Sequence, residues 1–191
     1  MYANIKHLHL LKFNNCENCT ECCKNKFLAP LVLDDFEKVC DYFPIVIAKL
    51  EVFKPVMLLS TEKGCPYLQN DKCSIYEQRP PACKIYPFSP WYDSILLDLS
   101  CPGVGTQGLF LPLTKKEFCS SSFFDERVIN IKQKLINTAK WLENKKITPI
   151  GSVKNIEIFQ ISNPKDKYDL IHKKSLKFLK NYENLIKKPL N

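Results

Sequence analysis

Four thiols crowd into eight residues near the start of the chain, Cys16-Glu17-Asn18-Cys19-Thr20-Glu21-Cys22-Cys23, a C-x2-C-x2-C-C run. Three more return in a second stretch: Cys65 in Gly64-Cys65-Pro66-Tyr67-Leu68, Cys73, and Cys83 in Arg79-Pro80-Pro81-Ala82-Cys83. An eighth stands in Cys101-Pro102-Gly103. Thiolate is a soft ligand that selects zinc, iron–sulfur clusters or Cu(I). Structural zinc sites pair two C-x2–4-C knuckles, whereas this chain has one dense run followed by solitary cysteines. A C-x2-C-x2-C run suits three corners of a [4Fe–4S] cubane, with a fourth cysteine arriving from elsewhere and followed by proline. Cys65-Pro66 and Cys101-Pro102 both have that form. The spacing predicts a [4Fe–4S] cluster, with Zn2+ or mononuclear iron as the alternative.

The doubled Cys22-Cys23 carries its own constraint. In an extended segment adjacent side chains point to opposite faces, so the two thiols are expected to serve different ligand sets. Cys22 would complete the first trio, and Cys23 would join some of Cys65, Cys73 and Cys83. Two four-cysteine sites and one cluster with spare thiols both remain open. Arg79 is one of only two arginines in a chain that otherwise uses lysine. A planar guanidinium can hydrogen-bond thiolate sulfur in a way ammonium does not reproduce, so Arg79, with Tyr76 beside it, is expected just outside the ligands, tuning them. Cys40 falls on an apolar helical face and reads as core. Cys119, among serines, and His7, His9 and His172 are left out of the site.

Around these residues the chain alternates apolar runs with stiff loops. A strand is expected over 27–33, with Asp34 as the N-cap of a helix whose Phe36, Val39, Cys40 and Phe43 share one face. Pro44 is expected to open a second helix from Ile45 to Phe53. Residues 55–61 and 93–100 read as strands, the latter delivering Cys101. Between them five prolines and six aromatics make a loop too stiff for a sheet interior and suited to holding ligands in place. Gly103-Val104-Gly105-Thr106-Gln107-Gly108 matches G-x-G-x-x-G, but no helix start follows it, so it reads as a turn beside Cys101 rather than a nucleotide loop. Thr114 to Glu117 has capping-box form. Residues 125–146 predict one long amphipathic helix, 156–161 a short strand and 165–188 a last helix.

Totals narrow the class. The chain has 191 residues, 45% apolar and 25% charged, with ten cysteines, long enough to fold without disulfide staples. The first fifteen residues hold no continuous apolar segment or cleavage site, and no apolar run approaches the roughly 18 residues that span a bilayer. A cytoplasmic protein with reduced thiols is expected, and there clustered cysteines read as metal ligands rather than disulfides. Residues 1–104 carry 11 basic against 12 acidic side chains and residues 105–191 carry 17 against 8, so the net +8 divides as −1 and +9. The basic tail reads as a solvated helical face; nucleic acid is not expected as a partner, while a protein partner stays open.

Taken together, C-x2-C-x2-C-C, G-C-P-Y-L, C-S-I-Y-E-Q-R-P-P-A-C-K-I-Y-P-F and C-P-G resemble the YkgJ-like cysteine-cluster family, described as zinc- or iron-chelating. The resemblance covers about residues 16–108 and implies metal binding through Cys16, Cys19, Cys22, Cys23, Cys65, Cys73, Cys83 and Cys101. Asp34 sits where the family carries an aspartate, and Lys84 stands where it commonly has arginine. Some relatives look like flagellin lysine N-methylases, so a protein lysine N-methyltransferase is the alternative function, although no S-adenosylmethionine loop is recognisable. The expectation is an α+β protein. A small irregular cysteine-rich metal-binding core with short strands and helices occupies residues 1–112. A mainly helical extension packs on it over 113–191, and no catalytic residue is assigned. Its centre would serve a redox, metal-handling or structural role.

Overall fold

The computed structural model describes residues 2–4, 11–13, 19–25, 28–51, 54–60, 64–91, 94–105, 109–111, 126–182 and 186–187. Helices and antiparallel sheets mix in an α+β arrangement. The largest sheet has five strands in the order β12-β13-β4-β5-β3: β3 is Leu28–Pro30, β4 Ile45–Ala48, β5 Val56–Leu59, β12 Ile147–Val153 and β13 Ile156–Ile161. Strands from both sides of the boundary expected at residues 112 and 113 share this sheet, since β13 pairs with β4.

β4 is where the sequence reading of a helix fails. All four of its residues are buried. Ile45 and Ile47 face one apolar cluster with Phe36, Phe43 and Leu58; Val46 and Ala48 face a second with Met57, Leu59 and Ile158. A strand buried on both faces reads as an unbroken apolar run with no period of two, which periodicity alone cannot separate from a helix. The β-branched Ile45, Val46 and Ile47, stiff at χ1, fit the pleated ladder well. β12 was likewise illegible, because Pro149 and Gly151 lie inside it; a register shift between those residues absorbs the irregularity.

Other elements stand where the pattern put them. Phe36, Val39, Cys40 and Phe43 are all buried, with α2 (Phe36–Val39) following a 3-10 turn over Leu33–Asp35. Asp34 lies inside that turn rather than capping a helix, and its carboxylate pairs with Lys134 Nζ at 2.8 Å. Lys134 belongs to the long helix, Glu126–Glu143, whose Leu135 and Leu142 are buried. The last helix, Lys167–Ser175, continues as a 3-10 segment, Leu176–Tyr182. His172, given no role from sequence, is buried there and its Nε2 accepts the Ile161 amide at 3.2 Å. The Thr114–Glu117 capping box, Cys119, His7 and His9 lie outside the described residues.

Three small sheets flank the cysteines. β1 (Tyr2–Asn4), β9 (Ser94–Asp98) and β8 (Phe88–Trp91) pair in the order β1-β9-β8. β2 (Leu11–Phe13) lies between β10 (Val104–Gly105) and β11 (Leu109–Leu111). That pairing ties the chain ahead of the first cysteine run to the chain just beyond Cys101. Val104 and Gly105 of the G-x-G-x-x-G stretch form β10 itself, and the next element described after the stretch is the strand β11, not a helix. β6 (Leu68–Gln69) and β7 (Lys72–Cys73) form a hairpin within the second cysteine run.

Candidate metal centre

The first cysteine run enters the described structure at Cys19. Thr20 then opens a short helix, α1 (Glu21–Asn25), its carbonyl accepting the amides of Cys23 and Lys24 at 2.9 and 3.1 Å. Adjacent residues on a helix are about 100° apart, not opposite as in an extended chain. The Cys22 and Cys23 side chains accordingly hydrogen-bond to each other instead of diverging. That bond holds the Cys23 thiol below its ordinary range and drives Cys22 up, with burial adding to the rise at Cys22. Cys16 lies outside the described residues.

A glycine joins the second run to the first. Gly64 sits at φ +93°, and a Cβ there would overlap the Cys23 carbonyl oxygen and come within 2.9 Å of Lys24 Cα. Only a residue without a side chain lets this backbone lie against α1. The next amide, of Cys65, donates to the Cys23 carbonyl, so the two cysteine runs are clamped main chain to main chain.

Cys65 opens a tight turn in which the Leu68 amide donates to the Cys65 carbonyl at 3.0 Å, and the amides of Tyr67 and Leu68 are directed at the Cys65 sulfur. Cys101 repeats the arrangement: the Val104 amide donates to its carbonyl at 2.9 Å, and the amides of Gly103 and Val104 face its sulfur. Burial pushes both thiols up, and in each case the two amides oppose it by favouring the anionic sulfur. Tyr67 pins its turn to the core, its hydroxyl donating to the Tyr42 carbonyl at 2.9 Å and its ring meeting Phe43 edge-on at 5.0 Å.

Cys73 arrives on the hairpin. Asn70 and Asp71, at φ +49° and +56°, form the two-residue loop of a type I′ turn, and Leu68 is set opposite Cys73. Asn and Asp tolerate that left-handed backbone better than most residues, so the hairpin stands where the sequence reading expects only an irregular loop, on a turn signal local to these two residues. Asp71 reaches Lys24 of α1 at 3.2 Å. Cys83 comes on a one-turn helix, α3 (Pro81–Ile85), whose second proline occupies the first turn, where no amide is missed. Burial first, then the nearby Cys65, Cys22 and Cys73, push the Cys83 thiol up to about 12, against the pull of Arg79.

Arg79 takes a different pose from the expected donor to sulfur. Its Nε donates to the Tyr76 carbonyl at 2.9 Å and its guanidinium stacks 3.6 Å above the Tyr76 ring. Tyr76 itself is 57% exposed.

Asp98 was missed altogether. It is fully buried, and its carboxylate accepts the Ser100 amide and hydroxyl at 3.0 and 2.6 Å and the Tyr86 hydroxyl at 3.2 Å. Its carbonyl accepts the Cys101 amide at 3.1 Å. An aspartate two residues ahead of a serine at a strand end is an Asx-turn signal. Asp98 fixes the approach to the Cys101 turn, and Tyr86 connects that turn to α3.

Six of the predicted cysteines, Cys19, Cys22, Cys23, Cys73, Cys83 and Cys101, line one cleft of about 710 Å³, with Tyr76 and Arg79 on its wall. Cys65 stands behind it. The sulfurs also sort by neighbourhood. Cys65, Cys73 and Cys83 all act on Cys23, Cys101 has Cys19 and Cys22 as neighbours, and Cys22 also acts on Cys65 and Cys83, so it stands between the two groups. Among the described residues, no three cysteine, histidine, aspartate or glutamate side chains stand close enough to hold one ion. Cys40 packs in the core, its Sγ 3.5 Å from the Glu37 carbonyl and apart from the cleft. The donor set is sulfur throughout, which fits zinc, iron–sulfur or other soft-metal chemistry and not a hard cation.

The CxxCxxCC family model, described as a "putative zinc- or iron-chelating domain", matches residues 15–134, and so runs past the cysteines into the long helix. No curated protein and no solved structure matches the chain. Among the described residues, no helix is long and apolar enough to cross a membrane.

Proposed function

The chain belongs to the CxxCxxCC family, and on that premise we propose that its cysteine cleft coordinates an iron–sulfur cluster of the [4Fe–4S] type, with zinc or mononuclear iron as the alternative. The observation that carries the proposal is the pair of matching Cys-Pro turns, at Cys65 and Cys101, each aiming two backbone amides at its sulfur. Amide donors at sulfur are what a metal-bound thiolate requires, because they stabilise its charge and tune the centre.

Breadth favours a cluster over a single ion. A tetrahedral zinc draws four sulfurs to about 2.3 Å from itself, whereas the thiols here are spread around a 710 Å³ cleft. Cys23, Cys65, Cys73 and Cys83 lie together, Cys19 and Cys101 lie together, and Cys22 adjoins both groups; two four-cysteine sets that include Cys16, or one cluster with spare thiols, both accord with this arrangement. When bound, a cluster supplies one-electron redox chemistry and cross-links the loops. The chain's own residues clamp the two runs together through Gly64, hold the Cys101 turn through Asp98, and offer the Arg79 charge beside Cys83. The redox, metal-handling or structural purpose of the centre is part of the same proposal, in a cytoplasmic setting.

Anaerobic purification followed by iron, zinc and acid-labile sulfide determination tests it. Iron and sulfide in equal amounts, near four or eight of each per chain, are expected for [4Fe–4S] centres. Stoichiometric zinc without iron or sulfide overturns the cluster, and no bound metal overturns the whole reading.

A further inference from the structure

Behind the cleft lies a second space. A cavity of about 90 Å³ is lined by Cys22, Cys23, Cys65 and Cys83 together with apolar side chains, among them Ala29 and Leu58 of the main sheet and Phe43 just ahead of β4. Cys22, Cys23, Cys83 and Tyr86 line both spaces and so form the partition between them. This space is an apolar pocket with an open side, and it adjoins the residues on which the chemistry depends.

One polar atom faces it. Ser60, directly after β5, is only 5% exposed, lines the cavity and has a hydroxyl oxygen with no hydrogen-bond partner among the described residues. Leaving a buried hydroxyl unpaired costs about 1–3 kcal/mol, so an unpaired one at the wall of a space next to reactive sulfurs points to something that pairs with it. Apart from the cysteines, the lining offers only Ser60, Ser89 and Tyr86 as polar side chains, where each ordered water takes two to four partners. Size then limits the occupant. An apolar cavity of about 150 Å³ accommodates benzene, so a ligand seated wholly within the 90 Å³ of this pocket has fewer heavy atoms.

We propose that this cavity is a binding site for a small neutral molecule of about four heavy atoms or fewer, with an apolar body and one hydrogen-bond acceptor for the Ser60 hydroxyl, which it presents to the sulfur partition from the side opposite the cleft. The site rests on the metal-binding reading only for its purpose; binding itself needs the cavity and Ser60 alone.

Two probes test this on the full chain as purified. Xenon reports apolar space, and acetone, with four heavy atoms and one acceptor oxygen, adds the hydrogen bond. Both are expected to give saturable NMR shifts at Ser60, Ala29 and Phe43. Ser60→Ala should leave xenon binding intact and weaken acetone binding by about three- to tenfold, the worth of one hydrogen bond. Ala29→Leu, which fills the cavity, should abolish both.

Absence of saturable shifts in the unaltered chain overturns the inference, as does Ser60→Ala with undiminished acetone binding. If Ala29→Leu does not fold, the contrast between the two probes in Ser60→Ala still decides. Metal content measured in the same sample separates the two claims: probe binding without metal overturns only the metal reading, and metal without probe binding overturns only the cavity.

Discussion

Replacing Gly64 by alanine isolates the clamp between the two cysteine runs. The added Cβ would overlap the Cys23 carbonyl oxygen, approach Lys24 Cα to 2.9 Å and Cys23 C to 3.2 Å, and sit on a backbone at φ +93°. Both nearest groups are main chain, so no side chain can swing aside. Sparsely populated backbone geometry costs about 1–3 kcal/mol and overpacking a further 1–3 kcal/mol. The sheet core does not pass through this contact, so the chain escapes the clash by parting Cys65 from Cys23 and losing their backbone hydrogen bond. Taking the low end, about 2 kcal/mol, metal affinity should fall at least roughly 30-fold. A chelator competition read by metal absorbance measures the affinity, and far-UV circular dichroism checks that the sheet persists. Gly105→Ala is the control, because its Cβ would meet nothing within 4 Å. Gly64→Ala with unaltered affinity and unaltered thermal unfolding would refute the clamp.

Three further outcomes are expected. Burial drives the His172 imidazole down to about 4 from 6.5, so the fold is most stable while the group is neutral and loses stability as pH falls below 6.5. At pH 4.5 the loss should reach about 2.5 kcal/mol relative to pH 7.5 in urea unfolding, and an equal loss in His172→Gln would reject this assignment. Ser175 Oγ accepts the buried Ile45 amide at 3.0 Å and donates to the His172 carbonyl at 2.7 Å. Ser175→Ala should cost about 1–3 kcal/mol with metal stoichiometry unchanged, and loss of metal from a folded variant would show that the sheet and centre are not separable. Asp98→Ala removes the acceptor that the Tyr86 hydroxyl and both Ser100 donors share; it should reduce metal retention at least tenfold in the same chelator assay, and full retention would remove Asp98 from the support of Cys101.

The cysteine stretches were legible because their geometry is local. A Cys-Pro turn brings the amides two and three residues onward to its own sulfur, and the Asn70-Asp71 loop sets its hairpin from two left-handed residues. The long helix was legible for a similar reason: its apolar stripe, ending in Leu135 and Leu142, repeats at the helical period against solvent. Family membership followed from the same spacing and now extends from residue 15 to residue 134.

By itself, then, the sequence determined the cysteine spacing that marks the family, the long amphipathic helix and the place of Cys40 in the core. Tertiary structure alone decided that Ile45–Ala48 is a strand, because burial on two faces erases periodicity. It decided that Gly64 meets Cys23 across 41 positions of chain, that Asp98 and Tyr86 join the Cys101 turn to α3, and that Cys22 and Cys23 share a helical turn. It also placed Ser60 behind the sulfurs. Contacts of that kind arise when distant segments exclude water together, and no local pattern of residues records which segments will meet.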